Sequence, residues 1–578
     1  MQPYWSVKYL KNVDKLSKPE YGTKEEFDLY APMRDGIKLC VDIVRPDKEG
    51  EKFPALVAWS SYGKREQTSR RDPRPSGSLM LDHSVEVCDI DFMVTRGYAF
   101  VFPDPRGIGK SEGEWNGMYS PQEQKDVYDA IEWIAEQPWC DGNVGMVGMS
   151  YFGYIQPLAA AQQPPHLQAI MPIGVMDNLY RRGYPGGMLD DDWCCFYLNN
   201  NPNNPVSESE RLYSEKELKR MAKEREQDPW IASNTKYIMM LETWPPRHNT
   251  WFYDVLMHPF DGPFWEARSE ANKRERIKIP VYFLTTDYPM FYELFNPFTD
   301  PKLNVPKKAF VIGRDLPCPY RFTTEETLRW YDHWFKGIDT GIMDEPPIKI
   351  FVHGINRYRF EYEWPLARTE WKKLYLQRYR KLDTEQERDL EVQPDIMAHD
   401  PSNLKTLGFE DEPSLVYSSE PFTRPIEVTG PMALYLYAEI DMEDANFIIK
   451  LWDVSPTNDR KLIASGYLKA SHRTLLNEKT KPWQPVHDHS KAIPVRPGEI
   501  NEYAIDMRVT SNVFQTSHRI ELYIKSTELR SPKYTGSSTI GILPSPWVTT
   551  YKIYHDARYP SHLLLPVIPE TPSELWLD

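Results

Sequence analysis

At 578 residues the chain is too long for one hydrophobic core and should divide into two to four domains. Apolar residues make up 40% and charged residues 26%, which fits a globular protein and excludes a disordered or fibrous one. The net charge of −15 argues against a nucleic-acid partner, which needs clustered Lys and Arg, and against an anionic membrane surface.

The first segment reads as strands and turns. Phe27–Met33 and Ile37–Val44 alternate on either side of Arg34-Asp35-Gly36, the pattern of a hairpin. Pro54–Trp59 and Tyr98–Pro103 are continuous apolar runs, as expected of strands covered on both faces. Gln122–Glu136 has helical periodicity through Val127, Ile131 and Ile134. Strands alternating with helices predict a parallel sheet. Leu167–Ile173 is the next strand.

From 176 to 272 the texture turns to Trp, Tyr, Asn and charge, with a helix predicted over Ser214–Gln227 from the capping pattern Ser214-Glu215-Lys216-Glu217. This stretch reads as an inserted, mostly helical cap. Strands resume at Ile279–Leu284 and Lys308–Ile312, and a helix over Thr323–Phe335 closes the domain. Beyond 346 short alternating segments dominate, among them Met432–Ala438, Phe447–Trp452, Glu502–Met507 and His518–Ile524, as in a β-sandwich. The expected divisions are 1–175 and 273–345 for the core, 176–272 for the cap and 346–578 for the sandwich.

Six cysteines (Cys40, Cys88, Cys140, Cys194, Cys195, Cys318) lack metal-ligand spacing and read as reduced thiols. The amino terminus lacks a charged start followed by an apolar core, and no apolar run approaches the ~20 residues of a membrane span. A cytoplasmic protein without metal or cofactor is expected.

The chemistry concentrates at Gly148-Met149-Ser150-Tyr151-Phe152-Gly153, between a β-like run and the helical Tyr154–Ala161. A serine on a tight strand-to-helix turn is a nucleophile elbow. Flanking glycines permit the strained backbone, and the helix N-terminus presents N–H groups to a developing oxyanion.

These residues, with Ser61-Tyr62-Gly63-Lys64, Asp104-Pro105-Arg106-Gly107-Ile108-Gly109-Lys110-Ser111, Gln137-Pro138-Trp139-Cys140-Asp141-Gly142 and Trp330-Tyr331-Asp332-His333-Trp334-Phe335, resemble the CocE/NonD family of serine hydrolases along nearly the whole chain. The resemblance implies an α/β-hydrolase core with an inserted helical cap and a C-terminal jelly-roll sandwich. It implies Ser150 as nucleophile, Tyr62 Oη and the Tyr151 N–H as oxyanion donors, and a small ester or amide as substrate. A homodimer is compatible with it.

The chain departs from the family at the other two triad positions. Where the family has Gly-Trp-Tyr-Asp, this chain has Thr286-Asp287-Tyr288-Pro289, so Pro289 takes the aspartate position and Asp287 lies two residues upstream. Where the family has its histidine, Gly313-Arg314-Asp315-Leu316-Pro317 places Pro317, and no histidine occurs between His258 and His333. A serine without a positioned base is a weak nucleophile. Three readings follow: a hydrolase or acyltransferase using His258, His83, Asp287 or Asp315 as base; a lyase, isomerase or cyclase; or an inactive binding protein. Asp190-Asp191-Asp192 reads as a solvated helix start rather than a metal site, and Gly107–Ser111 lacks the spacing of a phosphate loop. His333, His472 and His518 read as packing residues, and Asp104 and Arg106 as loop braces.

Overall fold

The turn at Arg34–Gly36 joins β1 (Thr23–Pro32) to β2 (Lys38–Pro46) in an antiparallel pair, with Gly36 at φ 86° where a side chain would be strained. A computed structural model of the chain describes residues 12–64, 86–196, 202–286, 292–313, 319–402, 413–528 and 541–577. After the hairpin come β3 (Phe53–Val57), β4 (Ala99–Pro103), β5 (Cys140–Met149), β6 (Leu167–Ile173), β7 (Val281–Thr286), β8 (Lys307–Ile312), β9 (Ile348–Val352) and β10 (Arg357–Glu361). They form one ten-stranded sheet in the order β1-β2-β4-β3-β5-β6-β7-β8-β9-β10. The ladders from β4 across to β9 are parallel, and the edge pairs are antiparallel.

Both faces of this sheet are covered, which is why β3 and β4 are apolar and buried throughout. Helices Pro121–Ala135 and Tyr151–Gln162 pack Val127, Ile131, Ile155 and Leu158 onto one face. Helices Ile90–Val94 and Pro319–Lys336 pack Met93, Val94, Leu328 and Trp330 onto the other. Strand order and layering are those of an α/β-hydrolase. The expected end of the core at residue 345 is corrected: β9 and β10 continue the same sheet, with β9 parallel to β8. Short β segments look alike in sequence, so only the ladder assigns them.

The insertion between β6 and β7 is helical as expected, with helices at Glu215–Glu226, Thr235–Glu242 and Thr250–Met257 among others. Ser214 caps the first with a reciprocal bond to Glu217. Asp190 corrects the expectation of a solvated acidic run. It is fully buried, receives Arg182 and the Trp193 N–H, and so caps Asp191–Phe196 from inside the protein.

The second sheet contains β11 (Glu370–Gln377), β12 (Lys381–Asp383), β13 (Asp395–His399), β14 (Ser414–Ser419), β15 (Ile426–Ile440), β16 (Asn446–Val454), β17 (Arg460–Lys469), β18 (Asn501–Phe514), β19 (Arg519–Lys525), β20 (Thr549–Tyr554) and β21 (His562–Ile568). Its path runs β13-β20-β15-β21-β11-β12-β14-β19-β16-β17, with β18 on β15. Leu434, Leu436, Phe447, Ile505 and Leu522 fill the sandwich core. His353, one residue past β9, donates its N–H to Ser511 O at 3.0 Å and accepts from Val513 N at 2.8 Å, joining the two sheets. Among the described residues no helix is long and apolar enough to cross a membrane.

Candidate active site

β5 ends at Met149 and the helix begins at Tyr151, so Ser150 alone makes the turn, at φ 57° and ψ −119°. Its N–H donates to Ile173 O on β6 at 3.0 Å, and its carbonyl accepts from Gly153 N at 2.9 Å and Tyr154 N at 2.8 Å. These three bonds hold the strained backbone in place. Both glycines are required by contact. A Cβ on Gly148, itself at φ 121°, would lie 2.4 Å from the Phe152 Cβ. One on Gly153 would lie 2.2 Å from Ile173 O. The second glycine sits one position later than in a generic elbow because residue 153, not 152, faces β6. Ser150 is half-exposed, and its Oγ makes no hydrogen bond among the described residues.

The loop carrying Tyr62 and the start of the elbow helix are braced in layers. Tyr151 is the first helical residue, where N–H groups have no intrahelical acceptor. The half-buried Tyr62 packs edge-on against Tyr151 and Phe152, with centroids 5.7 and 6.0 Å away. The Tyr62 loop is pinned by Asp104, whose Oδ1 accepts Lys64 N–H at 2.7 Å, while Lys64 Nζ pairs with Asp28 and Asp42. A Cβ on Gly109 would strike the Asp104 carboxylate, and Arg106 is clamped by Asp126 and Asp35. The Asp-x-Arg-Gly-x-Gly residues therefore brace the loop that carries Tyr62.

Of the base candidates read from the sequence, His258 alone falls among the described residues. Asp287, Asp315 and His83 lie outside the described residues; β7 ends one residue before Asp287, and β8 ends three before Asp315. His258 caps the C-terminus of Thr250–Met257, within the cap. Its ring stacks on Phe264 at 4.2 Å, and Nε2 lies 3.2 Å from Ser209 Oγ, which also donates to Asp254. Burial and the Arg268 charge push its pKa down to about 3, so it stays neutral and is a weak proton acceptor. The structure packs Tyr62 against Tyr151 and Phe152, the two residues after Ser150, and leaves His258 beside Ser209 and Phe264 in the cap. His353, one residue past β9, lies four strands along the sheet from β5.

Two acidic residues escaped the sequence reading. Glu86 accepts the Met149 N–H on its carbonyl at 2.8 Å, one residue from Ser150. Its Oε2 is shielded from solvent with no partner among the described residues, and burial pushes its pKa up to about 8. Glu123 lies beneath the elbow, bonded to Tyr151. Ser120-x-x-Glu123 is a helix-start signal, but nothing in it indicates that this carboxyl turns inward. A cavity of about 130 Å³ opens where core, cap and sandwich meet, with Met176, Arg181, Glu293, Trp364, His487 and Arg508 among its walls. Met176 lies three residues beyond Ile173, the acceptor of the Ser150 N–H.

Two family models match the chain: X-Pro dipeptidyl-peptidase (S15 family) over residues 35–291, and the X-Pro dipeptidyl-peptidase C-terminal non-catalytic domain over 340–564. The chain is 26% identical to cocaine esterase of Rhodococcus sp., over 94% of this chain and 98% of that protein. It is 25% identical to a putative serine esterase of Mycobacterium bovis, over 95% and 96%. Its fold superposes on a CocE/NonD family hydrolase from Staphylococcus aureus with TM-score 0.75 at 20% identity, covering 98% and 99% of the two chains. An α-amino acid ester hydrolase gives TM-score 0.71 at 18% identity, covering 98% of this chain and all of that one.

Proposed function

The chain belongs to the CocE/NonD family of S15-type serine hydrolases, and from that premise we propose that it hydrolyses a small ester or amide, or transfers its acyl group, through Ser150. The observation that carries this reading is the Ser150 backbone. A conformation at φ 57°, ψ −119° costs about 1–3 kcal/mol, and here it lifts a half-exposed hydroxyl over a helix N-terminus.

Ser150 Oγ attacks the substrate carbonyl carbon and the π pair moves onto oxygen. Tyr62 Oη–H and Tyr151 N–H donate to that oxyanion. The Oγ proton passes to a base, and from it to the departing alcohol or amine as the bond to the acyl carbon breaks. Water or another acceptor then attacks the acyl-enzyme by the same route. The base is not a triad histidine. Asp287 and Asp315, which follow β7 and β8 in the sequence, and His83 are the candidates for that base. Polar walls on the cavity where core, cap and sandwich meet suit a substrate with polar groups.

The test is a fluorophosphonate probe with intact-mass detection, on wild type beside Ser150→Ala. A one-to-one adduct absent from the variant supports the reading; no adduct on folded wild type overturns it. The replaced triad positions leave room for a second reading, lyase, isomerase or cyclase chemistry without an acyl-enzyme. Product formation by Ser150→Ala would select it.

A further inference from the structure

Glu123 is buried at the third position of Pro121–Ala135, its own N–H held by Ser120 Oγ at 3.1 Å. Its carboxyl accepts from Tyr151 Oη at 2.8 and 2.9 Å and from Trp59 Nε1 at 2.9 Å. Both partners are fully buried. Tyr119 closes the far side of the Tyr151 ring at 4.4 Å. The carboxyl thus ties two separate segments: Trp59–Tyr62, which follows β3, and Tyr151, which opens the elbow helix.

We infer that Glu123 is a positioning residue of the oxyanion hole, holding the Tyr62 loop and the Tyr151 backbone in mutual register through Trp59 and the Tyr151 hydroxyl. The inference rests on the function proposed above, in which those two segments supply the oxyanion donors. Three features distinguish this from ordinary core satisfaction. Tyr151 offers its carboxyl-bound hydroxyl at one end and its backbone N–H at the other. Trp59, three residues before Tyr62 on the same segment, carries the tie to the Tyr62 loop. Finally, burying a carboxyl is costly, and burial pushes this one up to about 7 against the pull of its donors. The charged groups nearest it are Asp126 on its own helix and Arg268 from the cap, itself bonded to Phe264 O and Asn116 O. An apolar residue would fill the space more cheaply but would release both segments.

Hydrolysis of 4-nitrophenyl acetate and the rate of fluorophosphonate labelling should be measured on the full chain carrying Tyr151→Phe, Glu123→Leu, Glu123→Gln or both Tyr151→Phe and Glu123→Leu. Tyr151→Phe removes one buried hydroxyl and leaves the backbone donor, so it serves even where Glu123→Leu fails to fold. The expected result is a kcat loss of about 10- to 100-fold for Tyr151→Phe with KM within about threefold, since a small misplacement weakens only transition-state contacts. Glu123→Gln, whose amide oxygen still accepts from both donors, should stay within about threefold of wild type, and the double variant should be no slower than the worse single. Wild-type kcat in Tyr151→Phe, or losses confined to thermal stability or KM, would overturn the inference. Ser150→Ala in parallel separates the two claims: if it retains turnover the hydrolase reading fails, whereas an inert Ser150→Ala beside a fully active Tyr151→Phe sinks the positioning role alone.

Discussion

The two sides of Ser150 are built on different physical plans. The side proposed to receive negative charge joins a backbone donor at a strained turn and helix N-terminus to a side-chain donor on a loop held by Asp104. The side proposed to remove a proton depends, in the resemblance read from the sequence, on two particular side chains, at positions that the resemblance assigns here to Pro289 and Pro317. Backbone donors survive changes of residue type because they belong to the fold, whereas a general base is lost with a single substitution. Oxyanion stabilisation and binding alone leave about 10³-fold catalysis over water, so a site can lose its base and keep measurable chemistry.

The largest expected effect is on the charge-receiving side. Ser150→Ala should abolish fluorophosphonate labelling and lower ester turnover by about 10³-fold or more; undiminished turnover would show that the elbow is not the seat of the reaction. Tyr62→Phe should lower kcat by about 10²-fold while the variant still labels slowly, because it removes one donor and leaves the nucleophile. An unaffected rate would take Tyr62 out of the oxyanion hole.

Glu86→Gln sharpens the comparison on the other side. Burial raises the folded-state pKa of this carboxyl to about 8, above its unfolded value near 4.5, so its contribution to stability is complete at low pH and fades as pH rises through 8. The Gln variant should lack that contribution, and its melting temperature relative to wild type should rise between pH 5 and about 8. A difference independent of pH would mean that Glu86 is not buried as a neutral acid. The smallest effect on rate is expected from His258→Gln: kcat within about twofold, with a lower melting temperature from loss of the Phe264 stack and the Ser209 bond. A collapse of kcat would erase the contrast between the two sides and restore His258 as base.

Much of this arrangement is legible in residue order. The hairpin at Arg34–Gly36, the buried strand Leu167–Ile173 and the Ser214 capping box follow from local rules, because turn chemistry, period-two patterning and caps act over a few residues. Gly148 and Gly153 announce the elbow because no side chain fits there. Long-range outcomes were not legible. Asp190 reads as solvated in a run of three acids, yet Arg182 and the fold bury it. β9 and β10 read as the start of the sandwich, yet their ladder with β8 gives them to the core.

The sequence by itself determined the elements, their alternation and the serine that the elbow presents, since each is encoded in spacings shorter than a helix. The tertiary structure alone decided which acids lie beneath and beside that serine. Glu123 and Glu86 are 27 and 64 residues away along the chain, and only the packing of helix and loop against β5 brings their carboxyl and carbonyl oxygens to the elbow. Burial, which moves a carboxyl's pKa and sets the worth of its hydrogen bonds, is a property of that packing rather than of any local stretch of residues.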